Sequence, residues 1–179
     1  MIISHNSAHV TTLSPTTIPA VSTVRPVCSG YIQSTILLQL YNAPNQSYVQ
    51  YSFVYKATSN TTTLMFCFLN QQHFWALDNV SMKDSITSYE LLSNTGFEDD
   101  NWDYWTPYNS VYYSSGISSG YKSWRPYAGS YFYLDVQYTS ADGIFQNITT
   151  VVGRNYTISF YLANPHGGNV SVAIVSVGP

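Results

Sequence analysis

The most constraining feature of this sequence is an alternation of apolar and polar residues that recurs along the chain from Cys28 onward. In residues 47–57, Tyr51, Phe53 and Tyr55 fall on one face of an extended chain and mostly polar side chains fall on the other. A period of two residues is typical of β-strands, whereas an amphipathic helix repeats every 3.6 residues. No segment has a convincing helical period, so the sequence predicts an all-β fold.

The alternation is divided by short runs of turn-forming residues such as Ala-Pro-Asn and Ser-Asn, which allows individual strands to be placed. The predicted strands are 31–41, 47–57, 61–69 and 74–82, followed by 89–98, 129–137, 143–149, 154–163 and 169–177. Residues 99–128, which are rich in Trp, Tyr, Ser and Gly, separate two members of the second series and are expected to form a long loop region.

Composition excludes several classes of protein. Charged residues make up only 8% of the chain, and the formal net charge is −3 with six Lys and Arg in total. Nucleic-acid binding depends on basic residues that neutralise phosphates, so a nucleic-acid partner is not expected. No apolar stretch approaches the roughly 20 residues that span a bilayer, so membrane insertion is not expected either.

The polar N-terminal segment differs from the remainder of the chain. Residues 1–27 contain several Pro, Ser and Thr residues and show no alternation. Segments of this composition are typical of linkers, which bury too little apolar surface to offset the entropy of ordering. We therefore expect residues 1–27 to be a mostly disordered linker and residues 28–179 to form the folded unit.

Six Asn-x-Ser/Thr sequons suggest a secreted or cell-surface glycoprotein. They are Asn45, Asn60, Asn79, Asn147, Asn155 and Asn169. A surface rich in Ser, Thr and Asn would also produce sequons without glycosylation, and both interpretations remain open. The N-terminus lacks the charged and apolar regions of a signal peptide, which is expected if the sequence is a fragment of a longer secreted protein.

The two cysteines, Cys28 and Cys67, are either a single disulfide or two buried thiols. If Leu64, Phe66 and Phe68 face the core, Cys67 lies on the opposite face of its strand, away from any partner in the core. Their pairing would require Cα atoms within about 7 Å of each other.

Short motifs resemble those of galactose-binding-like jelly rolls, the fold of many carbohydrate-binding modules. The segment LLSNTGFE at 91–98, with Trp105 shortly after, is similar to the opening of such a module, and residues 129–163 continue the likeness. The closing motif of these modules is similar to LDNV at 77–80, which here precedes the opening motif. The resemblance implies a jelly-roll β-sandwich.

The reversed order of these motifs predicts a circular permutation. Residues 28–86 correspond to the closing half of one module and residues 87–179 to the opening half of the next. Half a sandwich would leave apolar faces and sheet edges exposed, so we expect the halves to pack together as a single permuted sandwich. The alternative is a pair of half-modules that exchange with neighbouring repeats in a longer chain.

Aromatic side chains supply the candidate binding residues, because flat rings stack on the C–H faces of sugars while amide and guanidinium groups bind the hydroxyls. The preferred loop is Trp124-Arg125-Pro126-Tyr127, in which Pro126 restricts the backbone. The proposed ligand-binding residues are Trp124, Arg125, Tyr127, Tyr112, Tyr131 and Tyr133. Trp75 and Trp105 are instead expected to pack in the core, and Trp124 could serve either purpose.

The resemblance also implies a structural Ca²⁺ held by one carboxylate from the opening motif and one from the closing motif. Mapped onto this chain, these are Glu98 and Asp78, with Asp135 as a third candidate. Such hard oxygen ligands suit calcium. The alternative is that Glu98 and Asp78 only accept backbone hydrogen bonds at strand ends.

Catalysis is not expected. Glycoside hydrolysis needs two facing carboxylates, whereas Glu98, Asp99, Asp100 and Asp103 crowd into one short segment. The sequence instead suggests an extracellular carbohydrate-binding module whose partner is a glycan or glycoprotein. The alternatives are a structural or adhesive repeat that binds no sugar, and an accessory fragment of a polysaccharide-acting enzyme.

Overall fold

The computed structural model of the chain describes residues 33–109 and 115–179, and these residues form ten β-strands. The predicted linker at 1–27 lies outside the described residues, as do Cys28 and Tyr112. The strands are β1 (Thr35–Tyr41), β2 (Gln46–Lys56), β3 (Thr61–Asn70), β4 (Trp75–Asp84), β5 (Thr106–Tyr108), β6 (Gly116–Ser118), β7 (Phe132–Asp135), β8 (Asp142–Thr149), β9 (Asn155–Asn164) and β10 (Ser171–Gly178).

The strands form two five-stranded antiparallel sheets, which confirms the predicted all-β sandwich. The first sheet has the order β1-β10-β3-β8-β5 and the second has the order β2-β9-β4-β7-β6. Strand β3 lies between β10 and β8, and β4 lies between β9 and β7. Strands from residues 33–86 and from residues 87–179 therefore alternate in both sheets, except at one end of each, where β5 follows β8 and β6 follows β7. The assignment of this arrangement to a circularly permuted jelly roll stays a prediction.

The core between the sheets is built by the inward half of the alternating residues and is dominated by aromatic rings. Phe66 of the first sheet and Phe160 of the second meet edge to face at 5.1 Å between ring centroids. Trp75 and Trp105 are buried in this core, as predicted, and their indole N–H groups donate to the backbone oxygens of Leu69 and Asn94. Edge-to-face and stacked rings add to the stabilisation that apolar burial provides.

Both sheets also carry apolar clusters on their outer faces. Met65, Cys67 and Ile174 are at most 2% exposed on the outer face of the first sheet. Cys67 thus faces away from the main core, as the alternation predicts, yet it is buried and is not a free thiol. The predicted partner, Cys28, lies outside the described residues.

A bulge in β4 reverses which residues face the core. The pairing of β4 with β9 shifts between Asp78 and Ser81, and Asn79 within it has a φ of 49°. Leu77 and Val80 both face the core as a result, so the alternation skips one residue at this point. Bulges of this kind re-aim side chains, and here the bulge leaves Asp78 on the outer face of the second sheet, where it pairs with Tyr161.

The predicted strand at 89–98 is wrong. Glu90 forms an isolated bridge with Lys83, and its carboxylate accepts hydrogen bonds from the backbone N–H groups of Met82 and Leu92. The chain then turns at Asn94, which has a φ of 48° and accepts a hydrogen bond from the N–H of Phe97. The turn-forming residues within 94–96 therefore override the apolar residues on either side of them.

Candidate functional site

A groove of about 880 Å³ lies along one side of the sandwich. It lies where the chain after β4 crosses from the second sheet to the first. Leu91 is tied to the second sheet through its N–H, which donates to the oxygen of Met82 at 2.9 Å. Ser93 is tied to the first sheet by two hydrogen bonds with the Gln146 amide, both 3.0 Å long.

The groove exists because β5 covers only part of the β8 edge. Strand β5 pairs with Gly143 to Phe145, and residues 146–149 of β8 line the groove beyond that pairing. The segment at 89–93 approaches β8 here through the Gln146 side chain instead of a backbone ladder. A side-chain connection holds the two segments farther apart than the usual strand spacing of about 4.8 Å, which leaves room for a ligand.

Two exposed tyrosines line this groove. Tyr89 is 72% exposed and Tyr104 is 64% exposed. Tyr104 has a φ of 71°, and Ser88, directly before Tyr89, has a φ of 60°. Left-handed backbone is unfavourable for residues other than glycine, and it is concentrated at functional sites. The backbone at both places therefore holds a conformation that the local sequence does not favour.

The polar side of the groove contains an ion pair and neutral hydrogen-bonding groups. Arg154 contacts the Asp84 carboxylate at 2.8 Å. The backbone N–H groups of Thr87 and Ile86, followed by Arg154, hold the pKa of Asp84 below its ordinary value. Of the described residues that line the groove, Asp84 alone carries a carboxylate, beside the amide of Gln146 and several hydroxyl groups. The groove therefore combines exposed aromatic rings with both charged and neutral hydrogen-bonding groups.

Sequence reasoning missed this site. Tyr89 was placed inside a predicted strand, and Tyr104 was one tyrosine among many in the predicted loop. The turn-forming residues at 94–96 are the one local signal that the predicted strand at 89–98 should have ended before residue 94. No local signal, however, links Tyr89 to Tyr104 or to Arg154, because they meet only through the tertiary structure.

The predicted binding loop packs on the outer face of the second sheet. The Trp124 ring lies 5.5 Å from that of Tyr48 and is partly buried. The Tyr127 ring stacks on Tyr161 with 3.6 Å between centroids, yet Tyr127 remains 46% exposed. The Arg125 guanidinium donates to the backbone oxygens of Lys122 and Trp124 within its own loop. One surface therefore presents Tyr127 and Arg125, while Trp124 mainly anchors the loop.

The two remaining described candidates differ in exposure. Tyr131 is half-buried at the rim of the core, and its N–H donates to the Glu98 carboxylate. Tyr133 is only 1% exposed and packs 6.1 Å from Phe68. A ring enclosed in the core cannot stack on a surface ligand, so the assignment of Tyr133 to ligand binding is corrected.

The calcium candidates Asp78 and Glu98 both hold the backbone of the 127–131 loop. Asp78 accepts hydrogen bonds from the N–H groups of Asn79, Tyr127 and Ala128 at 2.6, 2.8 and 3.1 Å. Glu98 accepts from the N–H groups of Ser130 and Tyr131 at 2.9 to 3.2 Å. Donors that point at these oxygens occupy the positions a cation would need, so the pair does not fit calcium.

Asp135 does not join the other two carboxylates. It lies against Asp142 and Ser115, whereas Asp78 and Glu98 hold the 127–131 loop. The described residues contain no group of three or more His, Cys, Asp or Glu side chains that could hold a metal ion. The three residues proposed for a shared calcium site are therefore not brought together.

Comparison of the chain with protein-family models, with curated proteins and with solved structures finds no significant match in any of the three. Within the part of the chain that the structure describes, no helix is long and apolar enough to cross a membrane.

Proposed function

We propose that this chain is an extracellular carbohydrate-binding module and that the groove beside Tyr89 and Tyr104 is its main binding site. The observation that carries the proposal is two largely exposed tyrosine rings beside an Arg–Asp pair in one groove. Sugar sites combine apolar rings with a few fixed polar groups, because each sugar ring has apolar C–H faces and polar edges. The Arg125 and Tyr127 surface is a second, smaller candidate.

The proposed role is binding without catalysis. Hydrolysis of a glycosidic bond requires two carboxyl groups about 5–10 Å apart on either side of the bond. The described groove lining offers Asp84 alone, and Arg154 and two backbone N–H groups stabilise its charged form. A carboxylate held in this way is a poor general acid.

An extracellular location is supported by where the sequon asparagines lie. All six of them are exposed on the described surface. By contrast, Asn70 and Asn164, which are not in sequons, are buried and hydrogen-bond to each other at 3.0 Å. Glycans require exposed acceptor residues, so the fold permits glycosylation at every sequon.

The site is tested by removing both groove tyrosines. We expect Tyr89→Ala combined with Tyr104→Ala to weaken glycan binding by about 5- to 150-fold, since each stacked ring contributes about 0.5–1.5 kcal/mol. The ligand would first be found on a glycan array, and affinities would then be measured by calorimetry. Tyr41→Ala is the matched control, because Tyr41 is a 50% exposed tyrosine on β1, at the opposite edge of the same sheet.

Two outcomes would contradict the proposal. If the natural chain binds no glycan on the array, the structural or adhesive repeat becomes the better interpretation. If Tyr127→Ala abolishes binding and the double groove variant does not, binding belongs to the 124–127 loop. Trp124→Ala would then be expected to weaken binding as well, by releasing the loop from Tyr48 and Phe74.

A further inference from the structure

One of the six sequons lies on the wall of the groove. Asn147, in the sequon Asn147-Ile148-Thr149, is exposed and lines the groove together with Thr149. Among the described residues that line it, Asn147 is the only asparagine of a sequon. A glycan on Asn147 would therefore start inside the groove, whereas a glycan at any of the other sequons would start outside it.

The side chain of Asn147 is held with its amide nitrogen available. Its Oδ1 atom accepts a hydrogen bond from the Thr63 hydroxyl at 2.8 Å, across the ladder between β3 and β8. This bond fixes the orientation of the amide through its oxygen. The Nδ2 atom, to which an N-glycan is attached, donates no hydrogen bond to any residue that the structure describes. The side chain is thus positioned without using the atom that the modification needs.

Aromatic rings lie on two sides of this amide. Thr106 pairs with Phe145 at the end of the β5–β8 ladder, and two further steps in the same register would set Tyr104 opposite Asn147. Tyr104 and Asn147 line the same groove, and Tyr104 is 64% exposed. Phe145 is two positions before Asn147 in β8, so it shares the same face of the strand, and it is half-buried. A sugar attached to Asn147 therefore has both rings within reach.

We propose that Asn147 carries an N-glycan whose first sugars lie along the groove against Tyr104, so that the chain's own glycan competes with an external glycan. This inference rests on the proposed function, because it takes the chain to be secreted and the groove to bind sugar. The first sugar of a eukaryotic N-glycan is N-acetylglucosamine, which has C–H faces that stack on aromatic rings and an acetamido group that hydrogen-bonds. The groove volume of about 880 Å³ is in the usual range for ligand sites, so the first sugars fit.

A tethered sugar competes more strongly than its own affinity would suggest. A ligand on a short link has an effective concentration on the order of 1 mM at its site. For an intrinsic Kd of about 0.1 mM, the glycan would occupy the groove about 90% of the time, and an external glycan would bind about tenfold more weakly. Occupancy of a single sequon would therefore regulate whether the groove is open.

The first test needs no external ligand. The chain is secreted from eukaryotic cells, and enzymatic release of its N-glycans in heavy-oxygen water marks each occupied asparagine for peptide mass spectrometry. We expect Asn147 to be occupied, and Tyr104 to be nitrated by tetranitromethane about tenfold more slowly than in Asn147→Gln, because the glycan covers the ring. Tyr41, which is 50% exposed at the opposite edge of the same sheet, should be nitrated equally in both chains.

A second pair of variants separates loss of the glycan from loss of the Asn147 side chain. Thr149→Ala removes the sequon and keeps Asn147, whereas Thr149→Ser keeps the sequon. Tyr104 should be nitrated quickly in Thr149→Ala and slowly in Thr149→Ser. The same result is expected whether or not Asn147→Gln folds.

The second test compares glycan binding by the chain made with and without N-glycans. Protein from a bacterial host that attaches no N-glycans should bind the glycan found on the array about tenfold more tightly than the secreted protein. Asn147→Gln should remove most of this difference between the two preparations. Asn169→Gln is the matched control and should keep the difference. Asn169 directly precedes the start of β10 and Asn147 is in β8, toward opposite ends of β3, which both strands neighbour.

The outcomes separate this inference from the proposed function. An unoccupied Asn147 beside other occupied sequons overturns the inference, and so does rapid nitration of Tyr104 in a chain whose Asn147 is occupied. Secreted protein with no occupied sequon contradicts the inference together with the extracellular location. If the bacterial protein binds no glycan, the sugar-binding function is wrong, whereas slow nitration of Tyr104 in the secreted protein would still support a glycan in the groove.

Discussion

Replacing Gly143 by alanine should destabilise the protein by about 3 kcal/mol or more, because the new methyl group would collide with the backbone of the neighbouring strand. Gly143 lies in β8 opposite Cys67 of β3. A Cβ atom at this position would lie 1.9 Å from the backbone oxygen of Phe66 and 2.9 Å from the Cα of Cys67. Backbone atoms cannot rotate away as a side chain can, so the two central strands would have to separate.

The measurement is urea unfolding followed by tryptophan fluorescence, with Gly116→Ala as the matched control. Gly116 is also in a strand, and a Cβ there would meet Trp102 at an ordinary distance of 3.6 Å. The free energy of unfolding of the control should lie within about 0.5 kcal/mol of that of the natural chain. A Gly143→Ala variant that unfolds at the same urea concentration as the natural chain would show that β3 and β8 are not this close.

Asp78→Asn should destabilise the protein by about 2–3 kcal/mol, chiefly by releasing the 127–131 loop. The Asp78 Oδ2 atom accepts from the N–H groups of both Tyr127 and Ala128. Asparagine would place either an NH₂ group or its single oxygen opposite these donors, so the three present hydrogen bonds cannot all be kept. Loss of the stacking of Tyr127 on Tyr161 would then appear as a decrease in near-UV circular dichroism.

Glu98→Gln is the control for this loop. Glu98 is exposed and accepts N–H groups from the adjacent residues Ser130 and Tyr131, so water can replace much of what is lost. Its effect on stability should be clearly smaller than that of Asp78→Asn. Equal effects of the two variants would contradict a special role for the buried carboxylate.

The pH dependence of stability provides a second readout for Asp78. Burial, which outweighs three backbone N–H donors, raises the pKa of Asp78 to about 6. A raised pKa means that protonation favours the folded state, so this group's contribution is full below about pH 4 and is lost as the pH rises through 6. The part of the pH dependence between 4 and 6 that is due to Asp78 should be absent in Asp78→Asn.

The sequence predicted the long strands closely, because their signal is local. The strands predicted at 47–57, 61–69 and 154–163 are observed as Gln46–Lys56, Thr61–Asn70 and Asn155–Asn164. In each of them every second residue is apolar, and the face that these residues form can pack against another sheet whatever the order of the strands. The short strands β5 and β6 were not predicted, because three residues are too few to show a period.

The roles of the acidic residues depended on contacts between distant parts of the chain. Asp78 and Glu98 were predicted to meet at a cation, but both accept N–H groups from a loop 32 to 50 residues away along the chain. Asp135 was grouped with them, and its partner is Asp142 instead. A carboxylate accepts a backbone N–H or binds a cation equally well, so residue type alone could not decide between these roles.

The sequence by itself determined that the chain is all-β and that its strands have apolar faces to bury. Both features follow from alternation and turn-forming residues, which are local patterns of a few positions. The tertiary structure alone decided where the groove lies, because Tyr89, Tyr104 and Arg154 come from three separate segments. It also decided which acids are buried, since the bulge in β4 and the position of β7 and β8 in opposite sheets set their surroundings. Local pattern fixes which face of a strand is apolar, whereas the residues facing each other across the sandwich depend on the order in which the strands pair.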